Sequence, residues 1–107
     1  GRSDDMIVSG GENVYPHDIE QKLLENPQID SAAVIGVEDA DFGKRLIAFA
    51  VPALDNGDLK SEEIKKWLNS KIARYQTPYK IIVIKSLPIT NTGKINKREL
   101  IKIANNQ

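Results

Sequence analysis

Three runs rich in Val, Ile and other apolar residues limit the folds open to this chain. They span residues 29–37, 46–51 and 80–85, and the third is almost continuously apolar from position 81 to 84. Branched side chains pack well on a pleated surface, so each run predicts a strand. Residues 38–44 are mostly polar and predict a loop joining the first two strands. Three strands are too few for a doubly wound sheet.

A short β-hairpin is predicted ahead of these strands. Residues 6–8 and 13–15 have strand character and flank the sequence Ser9-Gly10-Gly11-Glu12. A glycine pair supplies the positive φ angles that a tight hairpin turn requires. We therefore expect a tight, exposed turn at the two glycines.

Apolar residues at helical spacing predict two helices between the strands. The first begins at Pro16, which suits a first helical position, and ends near residues 26–27. The second is predicted to be capped by Ser61 and stopped by Pro78. Trp67 lies on its apolar stripe and is expected in the core.

A turn at residues 55–58 and a short helix over residues 97–104 complete the pattern. The order is hairpin, helix, strand, strand, helix, strand, loop and helix. This order predicts an α+β domain, a small three-stranded sheet with flanking helices plus the N-terminal β-hairpin.

Composition limits the classes of function. At 107 residues with 40% hydrophobic content, the chain can form one core, so residues 1–107 are expected to be a single domain. Fifteen basic residues balance fifteen acidic ones, which predicts no nucleic-acid partner. The chain has no cysteine and one histidine, so no metal site is expected. No apolar run approaches the ~18 residues of a transmembrane segment, and a cytoplasmic location is expected.

The loop of residues 87–98 has the residue types that handle phosphate. Gly93 allows a positive φ and a close backbone approach, Thr90 and Thr92 carry hydroxyl groups, and Lys94 supplies a compact charge on a flexible stem. The loop therefore predicts that Lys94 meets a phosphate group.

This loop differs from the nucleotide-binding Walker A loop. Pro88 occupies the position of the first glycine, and Ile95 follows Lys94 where that motif needs Ser or Thr. The phosphate must then be held by another part of the protein. The alternative is that Lys94 is a solvated lysine at the end of a turn.

The first twenty residues, G-R-S-D-D-M-I-V-S-G-G-E-N-V-Y-P-H-D-I-E, resemble the motif that opens the C-terminal domain of adenylate-forming enzymes. The lysine loop resembles a second motif of that superfamily, P-x-T-x-[ST]-G-K. The superfamily contains acyl-CoA synthetases, nonribosomal-peptide adenylation domains and luciferases. Both motifs occur in the expected order and separation, and the resemblance covers residues 1 to about 100. The sequence S-G-G-E-N-V-Y-P of residues 9–16 resembles the acyl-CoA synthetase branch.

The resemblance implies a function for a longer parent protein. That parent would use ATP and Mg²⁺ to convert a carboxylic acid into an acyl-adenylate, and would then transfer the acyl group to CoA. The chain is expected to be its small C-terminal domain, with residues 1–5 as a hinge to an N-terminal adenylation domain that binds most of ATP and the acid. Two alternatives are an adenylation domain that loads a carrier protein and a non-catalytic interaction module.

The resemblance assigns the first set of site residues. Lys94 would be the catalytic lysine of adenylation, and Lys94 and Arg2 would contact ATP or AMP. Asp4 would be the hinge residue at which the domain rotates, since aspartate tolerates several backbone regions. Alternatively, Asp4 only caps a turn and Arg2 only pairs with the large domain.

A second set of residues is assigned to CoA. The resemblance implies that Gly10, Gly11 and Glu12 face the pantetheine arm, where a side chain on the glycines would obstruct a narrow tunnel. Phe42 and Tyr75 would stack on the adenine of CoA. The alternative for both aromatic residues is a place in the core.

The sequence departs from the family pattern in three places, one of which covers two residues. Ile89 stands where a basic residue often follows the proline, and Lys44 replaces a frequent glutamate. Gln76-Thr77 precede Pro78 where a basic residue is common, which removes one plausible contact for a CoA phosphate.

Overall fold

The computed structural model describes residues 6–53 and 58–107. Within these residues it has two small sheets, three α-helices and one 3₁₀ helix, in an α+β arrangement that confirms the predicted fold class. In chain order the elements are β1 (Ile7–Ser9), β2 (Glu12–Val14), α1 (Pro16–Leu23), β3 (Ile29–Asp39), β4 (Gly43–Pro52), α2 (Ser61–Asn69), the 3₁₀ helix (Arg74–Gln76), β5 (Lys80–Val83) and α3 (Lys97–Asn105).

The larger sheet has the strand order β3-β4-β5 and is mixed. β3 and β4 are antiparallel, whereas β4 and β5 are parallel with Phe49 opposite Ile82. Parallel neighbours need a long crossover connection, and α2 lies in that connection. β1 and β2 form the separate hairpin, which the sequence predicted to within one residue.

Apolar side chains cover both faces of this sheet. On one face, Ile19 of α1 and Leu68 of α2 pack into a cluster with Ala48 of β4. On the other face, Leu100 of α3 packs with Phe49 of β4. Successive strand residues point to opposite faces, so β4 contributes to both clusters. Trp67 is half-buried at the edge of the first cluster rather than inside the core.

The predicted polar loop over residues 38–44 is wrong, because the two strands continue into it. They pair as far as Asp39 opposite Gly43, which leaves only residues 40–42 as a turn. The Asp39 carboxylate accepts hydrogen bonds from the amides of Asp41 and Phe42, at 3.0 and 2.8 Å. Gly43 has φ +77°. A carboxylate that binds nearby amides is a common way to close a tight turn.

The second helix also differs from its prediction at both ends. Lys60 is the N-cap residue and Ser61 is already helical, so Ser61 does not cap the helix. The helix ends at Asn69, well before Pro78, and the Ser70 hydroxyl donates to the Trp67 carbonyl at 2.7 Å. A serine hydroxyl bonded to the backbone of the last turn competes with helix continuation. The predicted turn over residues 55–58 lies largely outside the described residues.

Candidate functional site

The turn of the β1–β2 hairpin consists of two glycines in left-handed conformations. Gly10 has φ +59° and Gly11 has φ +83°, and the flanking Ser9 and Glu12 are paired. Two consecutive positive φ angles are typical of the tight turn that matches strand twist. The positive φ angles of the turn therefore account for the glycine pair, whether or not a ligand binds there.

This turn rests on the turn between β3 and β4. The Gly10 amide donates to the Phe42 carbonyl at 3.0 Å, and the Ser9 hydroxyl donates to the Lys44 carbonyl at 2.7 Å. A Cβ on Gly10 would lie 3.5 Å from the Phe42 ring. The two turns consequently form one unit, although they are distant in sequence.

An open groove of about 310 Å³ lies beside the two turns, which is at the lower end of the range for small-molecule sites. Its walls come from the hairpin, the β3–β4 turn, the start of β4 and the 3₁₀ segment. The lining residues are Ser9, Gly10, Glu12, Phe42, Arg45, Leu46, Arg74, Tyr75, Thr77 and Tyr79.

The groove brings together four of the five residues that were predicted to contact CoA: Gly10, Glu12, Phe42 and Tyr75. Phe42 and Tyr75 are 50% and 48% exposed, so neither is a core residue. Gly11 does not line the groove, and a Cβ on it would meet nothing within 4 Å. Gly11 therefore faces away from the described part of the domain.

Three large groove residues were missed by the sequence reasoning: Arg45, Arg74 and Tyr79. Tyr79 reaches the groove because its amide donates to the Leu46 carbonyl at 2.8 Å, where β5 joins β4 in parallel. The sequence carries no signal for that parallel pairing. Arg74 lies one residue before Tyr75 on the 3₁₀ helix. Since Tyr75 was predicted to contact CoA, the adjacent Arg74 could have been predicted to lie near the same ligand.

Arg45 contacts a carboxylate and two aromatic rings. Its Nε lies 2.6 Å from Asp39 Oδ1, but the N–H is not aligned for a hydrogen bond, so the contact is an ion pair. Its guanidinium carbon lies 4.9 Å from the centre of the Phe42 ring and 4.2 Å from that of Tyr79. Both distances are within the range of cation–π attraction.

The lysine loop is a tight reverse turn with internal hydrogen bonds. Ile89 and Ile95 form an antiparallel bridge, and the Thr90 amide donates to the Lys94 carbonyl at 2.7 Å. Gly93 has φ +85°, as the sequence predicted for a turning residue. Lys94 is thus held at the end of an ordered turn, and its side chain is exposed.

The two threonines organise this turn. Thr90 Oγ1 accepts from the Lys94 amide at 3.2 Å and lies 3.1 Å from Thr92 Oγ1. Asn96 then caps α3, because its side chain accepts from the Glu99 amide at 3.1 Å. The sequence suggested these two hydroxyls as donors to a phosphate. In the structure they form hydrogen bonds within the loop itself.

Lys94 and the groove lie on different parts of the domain. Lys94 is not among the residues that line the groove. Its neighbour Ile95 packs with the cluster on the α3 face of the sheet, whereas the groove residue Leu46 belongs to the cluster on the opposite face. The structure does not bring the predicted adenylation lysine together with the predicted CoA residues.

The remaining predicted residues, Arg2 and Asp4, lie outside the described residues, and their roles stay predictions. Within residues 6–53 and 58–107, no cluster of three or more His, Asp or Glu side chains could hold a metal ion. None of the helices in the described ranges is long and apolar enough to cross a membrane.

Residues 18–94 match the family of AMP-binding enzyme C-terminal domains. The chain belongs to this family. The match runs from α1 to Lys94 and includes all three strands of the larger sheet, which confirms the resemblance drawn from the two motifs.

Several relatives of the chain are CoA ligases. The 2-succinylbenzoate–CoA ligase of Bacillus mycoides (strain KBAB4) is 39% identical over 102 residues, which are 95% of this chain and 21% of that protein. The mitochondrial medium-chain acyl-CoA ligase ACSF2 of Danio rerio is 41% identical over 100 residues, which are 94% of this chain and 16% of that protein.

A solved structure agrees with these relatives. The crystal structure of ATP-bound MatB from Rhodopseudomonas palustris matches with a TM-score of 0.85 and 32% identity, over 96% of this chain and 20% of that one. The chain thus spans about a fifth of the length of the proteins it matches.

Proposed function

We propose that this chain is the mobile C-terminal domain of an AMP-forming acyl-CoA synthetase. The parent protein activates a carboxylic acid with ATP, releases pyrophosphate, and transfers the acyl group from AMP to the thiol of CoA. The observation that carries this proposal is the convergence of Gly10, Glu12, Phe42 and Tyr75 in one groove. The relatives named as CoA ligases support CoA as the acceptor.

Lys94 is assigned to the adenylation step. Its side chain is exposed on an ordered turn, and no carboxylate among the described residues forms an ion pair with it. A lysine ammonium that reaches the α-phosphate and the attacking carboxylate offsets the negative charge that accumulates as they approach. The turn fixes the backbone position of this charge before the substrates meet.

The groove is assigned to the acceptor step. Two half-exposed aromatic rings, Phe42 and Tyr75, offer faces on which the adenine of CoA can stack. Arg74 lines the same groove, and no carboxylate in the described ranges forms an ion pair with it. It therefore offers a positive charge to a CoA phosphate, which Gln76 and Thr77 cannot supply. The thiol arm would then run past Gly10 and Gly11.

The separation of Lys94 from the groove supports the use of one domain in two orientations. A single active site in the N-terminal domain would face Lys94 during adenylation and the hairpin during thioester formation. Asp4, within a hinge of residues 1–5, is assigned to the rotation between them. ATP and Mg²⁺ are assigned mainly to the N-terminal domain, as the resemblance to adenylate-forming enzymes implies.

The test is the acceptor preference of the full-length parent. We expect acid-dependent pyrophosphate exchange, and acyl transfer to CoA rather than to the phosphopantetheine of a carrier protein. Transfer to the carrier protein alone would favour the adenylation-domain alternative. Absence of pyrophosphate exchange with every carboxylic acid tested would favour a non-catalytic module.

A further inference from the structure

The carboxylate of Asp39 connects the turn that carries Phe42 with the side chain of Arg45. One oxygen accepts from the amides of Asp41 and Phe42 at 3.0 and 2.8 Å. The other lies 2.6 Å from Arg45 Nε. Both side chains of this ion pair are largely shielded, at 18% exposed for Asp39 and 25% for Arg45. Shielding from water strengthens such a pair relative to an exposed one.

Arg45 in turn contacts the rings of Phe42 and Tyr79, at 4.9 and 4.2 Å from their centres. All three side chains line the groove. Phe42 lies on a three-residue turn and is half exposed, so packing within the domain covers only part of its side chain. The guanidinium gives the ring a planar surface to pack against, and Asp39 keeps that surface in place.

We propose that Arg45 is a positioning residue for the acceptor step: held by Asp39, it fixes the Phe42 ring in the orientation that stacks on the adenine of CoA. This inference rests on the proposed function. Because the charge of Arg45 is offset by Asp39, its contribution is the orientation of Phe42 rather than attraction of a phosphate. A ring that is ordered in advance loses less conformational entropy on binding, which lowers the KM for the ligand.

The experiment compares two acceptors in the full-length parent: CoA and 4′-phosphopantetheine, which carries the same thiol arm without the adenine nucleotide. Arg45→Met keeps an unbranched apolar stem but removes the planar cation. We expect its KM for CoA to rise about five- to twenty-fold, in the lower part of the range for the loss of one base stack, because the Phe42 ring is still present. Its kcat, its pyrophosphate exchange and its KM for phosphopantetheine should be unchanged.

Further variants separate positioning from direct contact and from folding. Phe42→Ala should show the same acceptor-dependent loss, and Arg45→Met should add little to it because both changes remove the same stack. Asp39→Asn keeps an oxygen for the turn amides but removes the ion pair, and should give a smaller loss in the same direction. Lys44→Met is the matched control, because Lys44 forms a 2.7 Å ion pair with Glu38 beside the same turn but does not line the groove.

The outcomes distinguish this inference from the function on which it rests. Equal losses with CoA and phosphopantetheine would make Arg45 a structural residue and would overturn the inference. Fully additive losses in the double variant would assign Arg45 a direct contact with CoA instead, which also contradicts a positioning role. If the unaltered parent forms no thioester with either acceptor, the proposed function itself fails, and the inference falls with it.

Discussion

The amide of Gly10 donates a hydrogen bond to the carbonyl of Phe42 at 3.0 Å, which ties the hairpin turn to the β3–β4 turn. The two residues are assigned to different ends of the same ligand, Gly10 to the thiol arm and Phe42 to the adenine. A backbone bond between them fixes the spacing of those two contacts. Changes to the hairpin should therefore affect binding of the whole CoA molecule.

Substitutions at Gly36 and Ile7 test how closely the hairpin packs on the larger sheet. A Cβ at this position would lie 3.0 and 3.1 Å from two side-chain carbons of Ile7. Gly36→Ala should therefore displace the Ile7 side chain by a few tenths of an ångström and lower the free energy of unfolding by about 1–3 kcal/mol. Ile7→Ala removes the obstructing carbons, so the double variant should be more stable than the sum of the single effects predicts. Denaturant unfolding measures all three, and additive effects would show that the two residues do not compete for space.

Two substitutions of Gly11 distinguish backbone strain from obstruction of the thiol arm. It has φ +83° and nothing near its missing Cβ, so a side chain there would be strained but would not clash within the described residues. Gly11→Leu and Gly11→Asn should both fold, with the leucine variant about 1–2 kcal/mol less stable than the parent because only asparagine tolerates this conformation. Thioester formation should fail in both variants, because either side chain would obstruct the tunnel, and pyrophosphate exchange should be retained in both. Failure in the asparagine variant, which tolerates the backbone conformation, would assign the loss to obstruction rather than to strain. Normal thioester formation with leucine would contradict the tunnel assignment.

Thr90 tests whether order in the lysine loop matters for adenylation. Its hydroxyl oxygen accepts from the Lys94 amide at 3.2 Å and contacts Thr92 at 3.1 Å. Thr90→Val keeps the shape but removes these bonds, each of which contributes about 1 kcal/mol. We expect pyrophosphate exchange to fall by about five- to ten-fold, and Thr90→Ser to restore it. If the valine variant retained full exchange activity, the hydroxyl would not support Lys94.

Local sequence patterns predicted the parts of the fold that depend on local physics. The glycine pair at 10–11 has the two positive φ angles expected of it, and Pro16 begins α1. The run at 80–85 and the helix near 97–104 occur with small shifts of their ends. In each case a residue's own backbone preference, or an apolar stripe against the core, determines the structure.

The error over residues 38–44 is local, whereas the groove residues that were missed depend on contacts between distant residues. The Asp39 carboxylate binds the amides two and three residues ahead of it, and the tight turn that results leaves β3 and β4 free to pair as far as Asp39 and Gly43. Tyr79 and Arg45 meet in the groove because β5 lies parallel to β4. Parallel pairing is decided by the crossover through α2 rather than by either strand. The sequence therefore predicted Gly10, Glu12, Phe42 and Tyr75 of the groove, but not Arg45, Arg74 and Tyr79.

In the proposed function, one domain serves two half-reactions with two separate surfaces. Pyrophosphate exchange, and thioester formation from supplied acyl-adenylate, should be measured for Lys94→Ala and Phe42→Ala in the full-length parent. Lys102→Ala, an exposed lysine on α3, is the control. We predict a reciprocal pattern, in which Lys94→Ala lowers exchange by roughly 10²–10³ and spares thioester formation. Phe42→Ala should raise the KM for CoA and spare exchange. Comparable loss of both half-reactions in either variant would contradict the account.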